Sequence, residues 1–191
     1  MSPSGIVQQW KRAETMEITD TNLPGVKLIT PEVFRDERGF FLECFRESWF
    51  GDYSFVQDNH SKSIKGTLRG LHYQLNSAQG KLVRVIAGEI FDVAVDLRKS
   101  SPTFGRWVGR TLNAETMKML WIPPGFAHGF TVLSESAEVL YKCTQYYDSA
   151  DERAIVWNDP DIGIDWPLEG DPILSERDKQ AVALKSADYF I

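Results

Sequence analysis

A chain of 191 residues suffices for one domain with a sizeable core, and 42% hydrophobic with 25% charged residues is the composition of an ordinary soluble globular protein. A net charge of −6 attracts neither nucleic acid nor an anionic membrane, so an anionic ligand needs basic contacts gathered locally. Cys44 and Cys143 form no CxxC motif and nothing marks the chain for export, which leads us to expect two reduced thiols in the cytoplasm.

Residues 1–20 read as an N-terminal tail, with Trp10 in a short helix or in a segment that orders on a partner. The first 17 residues carry no apolar signal core, and Arg84, Glu89 and Asp92 interrupt the most apolar stretch, so no membrane span is expected. The remaining residues, 21–191, read as a single domain. A strand is expected at 26–30, between Pro24-Gly25 and Pro31. Asp36-Glu-Arg-Gly39 is a turn into a strand over 40–45, whose alternation puts Phe41, Glu43 and Phe45 on one face. A short helix fits 47–53. Phe55, Gln57 and Asn59 share a face, an aromatic and two amides suited to a polar ligand.

The stretch from Gln57 to Gln74 is unusually polar for strand-like spacing and holds His60 and His72. Strands are expected near 64–68 and 69–75. Plain alternation sets Arg69 and His72 on opposite faces, so for both to serve one cavity a bulge or kink must intervene at Gly70. Further strands are expected at 81–87 (Lys81, Val83 and Val85 on one face), 90–97, 104–112, 117–122, 128–133 and 137–147, the last with Tyr141, Cys143 and Tyr147 on one face. In the run 90–97, Phe91, Val93, Val95 and Leu97 form an apolar face. Asp92 and Asp96 lie opposite; they are candidate catalytic carboxylates, but pairing with Arg98 or Lys99 is the commoner outcome. Beyond Asp148 the pattern dissolves, with Trp157 and Trp166 as packing anchors. Ser175 can cap a short helix with Asp178 at its third position. Many short strands with turn chemistry between them mean an antiparallel sandwich or barrel.

Ile122-Pro-Pro-Gly-Phe-Ala-His-Gly-Phe130 resembles the second motif of the cupin superfamily, which implies an all-β, cupin-like jelly-roll barrel, here with short helices near the C-terminus. Metal-binding cupins carry His-x-His in the first motif; this chain has His72-Tyr-Gln74, so ligands for a tight transition-metal site are lacking and no metal is expected. Several segments together resemble the dTDP-4-dehydrorhamnose 3,5-epimerase family. They are Asp36-Glu-Arg-Gly-Phe-Phe41, Gln57-Asp-Asn-His-Ser61, Gly66-Thr-Leu-Arg-Gly-Leu-His-Tyr-Gln74, Lys81-Leu-Val-Arg84, Phe91-Asp-Val-Ala-Val-Asp-Leu-Arg98, Ser101-Pro-Thr-Phe-Gly105, the Ile122–Phe130 segment, Tyr141-Lys142 and Ser175-Glu-Arg-Asp178.

That resemblance implies a dTDP-linked 4-keto-6-deoxyhexose as substrate and epimerisation through an enolate, with no cofactor. It implies His72 as base, Asp178 as its partner, Lys81 as enolate stabiliser and Tyr141 as the acid on the opposite face. Substrate-binding positions implied in the same way are Arg38, Phe41 and Glu43 at the nucleotide end across a homodimer interface, Arg69 at the pyrophosphate, and Gln57, Asn59, His128 and Tyr147 elsewhere in the cavity. His60 receives no role. A C3-only epimerase, a ketoisomerase or metal-dependent oxygenase of the cupin type, and a non-catalytic sugar-binding jelly roll are the alternatives. A GxGxxG nicotinamide fingerprint is missing.

Overall fold

Apolar side chains at every second position commit a segment to a strand with one face on the core. A computed structural model of the chain describes residues 16–191. Its strands are β1 (Glu17–Asp20), β2 (Lys27–Thr30), β3 (Val33–Asp36), β4 (Gly39–Leu42), β5 (Gln57–Ile64), β6 (Leu68–Gln74), β7 (Lys81–Ala87), β8 (Glu89–Asp96), β9 (Trp107–Asn113), β10 (Met119–Ile122), β11 (Phe126–Val132), β12 (Ser136–Cys143) and β13 (Glu152–Ala154). A short helix, α1 (Glu176–Lys179), and 3-10 segments at Glu47–Phe50 and Leu184–Ser186 complete the described elements.

Six strands form one antiparallel sheet in the order β1-β2-β10-β7-β12-β5, five form a second in the order β13-β6-β11-β8-β9, and β3 and β4 make a separate hairpin. From β5 to β8 the chain alternates between the sheets, the signature of the expected jelly roll. Val83, Val85, Leu120 and Val139 from the first sheet meet Ile90, Ala94, Leu112, Phe126 and Phe130 from the second. Each fully buried aliphatic side chain contributes about 1.5–3 kcal/mol.

The outer faces are covered too. Phe50, Phe45, Phe55 and Trp121 pack over the six-stranded sheet. Val93, Val95 and Leu97 pack under the C-terminal segment, against Ile155, Ile162 and Leu184. The expected apolar face of β8 is therefore real but points outward, while Asp92, on the other face, is fully buried. Trp166 donates to the Trp157 carbonyl at 2.8 Å and packs in the same outer layer.

Some boundaries differ from the sequence reading. Glu17–Asp20, read as tail, pair with Thr30–Lys27 as β1; Trp10 lies outside the described residues. Lys65 and Gly66 form a turn rather than a strand, with Gly66 at φ +75°, and Thr67 makes only an isolated bridge to Ile173. Strand β4 stops at Leu42 because the chain leaves the hairpin to cover the six-stranded sheet, so Phe41, Glu43 and Phe45 do not share a strand face. Strand β9 starts only at Trp107, since Asp96 pins residues 101–103 in a turn through Ser101 and Thr103. Strand β12 ends at Cys143, short of Tyr147, and β13 was not expected at all.

The kink at Gly70 is present. His72 pairs with His128 and Arg69 with Phe130, so three steps on β6 match two on β11 and the register shifts between them. Gly70 has φ +127°, and a Cβ there would sit 2.5 Å from the Gly129 Cα. Only glycine allows both that backbone conformation and that approach. The bulge turns Arg69 and His72 toward one cavity.

Candidate active site

His72 stands on β6 with its Nε2 2.5 Å from Asp178 Oδ1. Helix α1 delivers that carboxylate. Ser175 caps the helix, accepting the Asp178 N–H at 3.1 Å and donating its hydroxyl to Asp178 Oδ2 at 2.7 Å. Desolvation opposes ionisation of Asp178, but hydrogen bonds from His72, Ser175 and the Gly70 N–H outweigh it and hold the carboxyl below its ordinary pKa. An ionised Asp178 only accepts. Nε2 therefore carries the ring hydrogen and Nδ1 keeps the lone pair.

Lys81 and Tyr141 come from the facing sheet, on β7 and β12. With His72, Asp178, Arg69 and His128 they line a cavity of about 400 Å³, to which Ile173 and Leu174 also contribute. Desolvation lowers the pKa of Lys81, against the pull of Cys143, Glu152 and Asp92. Burial raises the pKa of Tyr141, helped by Cys143 and opposed by Arg69, so the phenol keeps its proton at neutral pH. The cavity thus has an imidazole lone pair on one wall and a phenolic O–H and an amine on the other.

His128, on β11, makes a second buried pair: its Nε2 lies 2.7 Å from Asp92 Oδ1. Asp92 therefore does not pair with Arg98 or Lys99 as expected. Its strand face looks inward, whereas Arg98 lies past the strand end and forks onto Asp96 at 2.9 and 2.8 Å. Asp92 Oδ2 is buried without a hydrogen-bond partner. Arg69 reaches the cavity with its Nε donating to Ser63 Oγ at 2.9 Å.

Other expected site residues stand apart. Gln57 and Asn59 do not line the cavity. The Gln57 Nε2 donates to Asn59 Oδ1 at 3.0 Å, and the Asn59 amide donates to Cys143 Sγ at 3.6 Å; Asn59 is paired with Tyr141 and Gln57 with Cys143 across β5 and β12, so both amides share the sheet face of Tyr141 and Lys81. The Tyr147 hydroxyl donates to Glu152 Oε2 at 2.7 Å. Arg38 pairs with Asp36 and Glu43 with Arg46, while Phe41 is 45% exposed on the β3–β4 hairpin. His60 pairs with Glu138 on the exposed side of β5.

Two residues near the site escaped the sequence reading, Glu152 and Arg177, while Asp92 was singled out there but assigned to another partner. Glu152, on β13, places Oε1 3.9 Å from His72 Nδ1, and its Oε2 is ion-paired with Arg177. The unexpected strand β13, which sets Ala154 opposite His72, is what brings it there. Among the described residues, no group of three or more His, Cys, Asp or Glu is placed to hold a metal ion, and no helix is long and apolar enough to cross a membrane.

Comparison with known proteins places this geometry. The family model described as dTDP-4-dehydrorhamnose 3,5-epimerase matches residues 20–186. A dTDP-4-dehydrorhamnose 3,5-epimerase of Pseudomonas aeruginosa is 57% identical over 180 residues, covering 92% of this chain and 99% of that protein. One from Neisseria gonorrhoeae is 60% identical over 167 residues, 85% of this chain; the match spans only about half, 51%, of that longer relative. Among solved structures, a dTDP-6-deoxy-D-glucose-3,5-epimerase from Legionella pneumophila, in complex with dTDP-4-keto-L-rhamnose, superposes with a TM-score of 0.89 at 50% identity, covering 91% of this chain and 95% of that one. The chain belongs to the dTDP-4-dehydrorhamnose 3,5-epimerase family.

Proposed function

We propose that this chain inverts C3 and C5 of a dTDP-linked 4-keto-6-deoxyhexose, converting dTDP-4-dehydro-6-deoxyglucose to dTDP-4-dehydro-L-rhamnose. The observation that carries the reading is the opposition of His72–Asp178 on one sheet to Lys81 and Tyr141 on the other, across one cavity. The C4 ketone makes the neighbouring C–H bonds acidic, so the route calls for a base, an acid on the opposite face and a stabiliser for the enolate oxygen. It calls for no redox cofactor.

His72 Nδ1 takes the proton as the C–H electrons move into the ketone. Asp178 holds the ring and stabilises the imidazolium that forms. Lys81 faces the enolate oxygen, where a desolvated cation is worth more than in water. Tyr141 returns a proton from the other side, which inverts the carbon. Arg69 meets the pyrophosphate with a guanidinium fork, and His128, braced by Asp92, serves as a further polar contact.

The nucleotide end is assigned to the β3–β4 hairpin of a second copy. Phe40 and Phe41 are 56% and 45% exposed there, and the Arg38–Asp36 and Glu43–Arg46 pairs are surface pairs that a ligand can replace at little cost. The working unit is accordingly a homodimer in the cytoplasm. The deciding experiment is NMR of the product formed in deuterated water: inversion with label at both C3 and C5 is expected. Inversion at C3 alone would reassign the chain as a single epimerase, and bound but unlabelled ligand would leave a sugar-binding jelly roll.

A further inference from the structure

Double inversion in one visit sets a requirement that His72, Asp178, Lys81 and Tyr141 do not meet. After the first carbon gives its proton to Nδ1, His72 is an imidazolium and cannot act at the second carbon until that proton leaves. Asp178 offers no outlet: Oδ1 faces Nε2, Oδ2 accepts from Ser175, and the residue is 2% exposed. On the Nδ1 side the structure places one carboxylate, with Glu152 Oε1 3.9 Å away. Its other oxygen is fixed by the Tyr147 hydroxyl and Arg177, so Oε1 stays directed at the ring. The Glu152 side chain is 13% exposed and Tyr147 is 51% exposed, which puts this cluster at the boundary between cavity and solvent.

We propose that Glu152 is the outlet through which His72 is reset between the two inversions. This rests on the double-epimerase reading given above. The Nδ1 proton passes to Oε1, through one bridging water where the gap stays open, and Nδ1 recovers its lone pair. Glu152 releases the proton to bulk water and is again a carboxylate. Tyr141 has meanwhile given its own proton to the opposite face of the carbon and regains one from solvent. Each inversion moves one proton out and one in, and nothing is oxidised or reduced. Arg177 and Tyr147 hold Oε2, and Lys81 and Tyr141 are further titratable groups in the field of this carboxylate. Glu152 acts through His72 and is a positioning and relay residue.

The test is Glu152→Gln, which keeps the shape and an oxygen for Tyr147. With protiated substrate in deuterated water, the proton held on Nδ1 should outlast the first inversion, so that singly inverted ligand leaves before the second deprotonation. The ratio of singly to doubly inverted product should then rise about tenfold or more, within the range a single proton-transfer group controls. Small diffusible bases such as formate or imidazole should lower that ratio in the variant and leave wild type unchanged. An equal slowing of both inversions, with no response to added base, would overturn the proposal. If Glu152→Gln does not fold, Glu152→Asp, with its longer gap, should show the same change in ratio in weaker form; an unchanged ratio there overturns it equally. Failure of wild type itself to label both carbons would strike the double-epimerase reading instead, and so the two failures are told apart.

Discussion

The cavity wall and the β3–β4 hairpin are built in opposite ways. In the wall four polar side chains are held by others: His72 by Asp178, Asp178 by Ser175, His128 by Asp92, Arg69 by Ser63. The hairpin carries large exposed rings, and the ion pairs on it and just past it, Arg38–Asp36 and Arg46–Glu43, join residues close in sequence. A network of buried hydrogen bonds fixes geometry before a ligand arrives, as proton transfer requires. An exposed aromatic strand fixes little until something covers it. On the function proposed above, the chemistry is preorganised within one chain, while recognition of the nucleotide is left to be completed by a second copy.

The comparison breaks first if the wall is not where the chemistry lies. His72→Asn should abolish exchange of the C3 proton and cost about 10²–10⁴-fold or more in turnover, while nucleotide binding, read by calorimetry, survives. Normal exchange would refute the assignment. Tyr141→Phe should cost about 10²-fold in inverted product yet leave some exchange, because the enolate still forms and recaptures its proton from the first face. Equal loss of exchange and product would deny Tyr141 a separate role.

Two further measurements separate what holds the wall from what the hairpin does. Desolvation opposes the charge on Asp96, but hydrogen bonds from Arg98, Ser101 and Thr103 pull its pKa from 3.8 down to about 2. A depressed carboxyl stabilises fully above its unfolded pKa and loses that contribution as pH falls through the folded one. Asp96→Asn should therefore cost about 2 kcal/mol of stability at neutral pH. In urea melts, that difference should vanish between about pH 4 and pH 2. Phe41→Ala should do the reverse. It should leave urea stability within about 0.5 kcal/mol, as at exposed sites generally, and weaken nucleotide affinity about tenfold. Light scattering and assay on serial dilution test the same region, and full activity in a monomer would end the dimer proposal.

What the sequence made legible follows the range of the interactions. Strand positions and the Ser175 cap depend on neighbours a few residues away and were readable. The Gly70 kink was readable from a contradiction, since alternation alone kept Arg69 and His72 apart. The pairing of Asp92 with His128 spans 36 residues and two strands, and local chemistry pointed instead to Arg98. Glu152 was hidden for the same reason: β13 is three residues long and lies in a stretch without alternation. The roles proposed for Lys81 and Tyr141 came only through family resemblance, because a strand-end lysine and a half-buried tyrosine are common in any sheet.

The pairing of His72 with Asp178 bridges 106 residues, and its second half arrives on a four-residue helix near the end of the chain. A ribosome finishes both sheets, β13 included, before it reaches Asp178. The nascent barrel therefore has its walls and its imidazole but no partner to set the tautomer. On the function proposed above, catalytic competence waits until the C-terminal segment docks. A proteolytic cut just before Ser175 that let the tail depart would produce the same condition in a finished molecule: a barrel with most of its core retained and the reactive histidine unbraced.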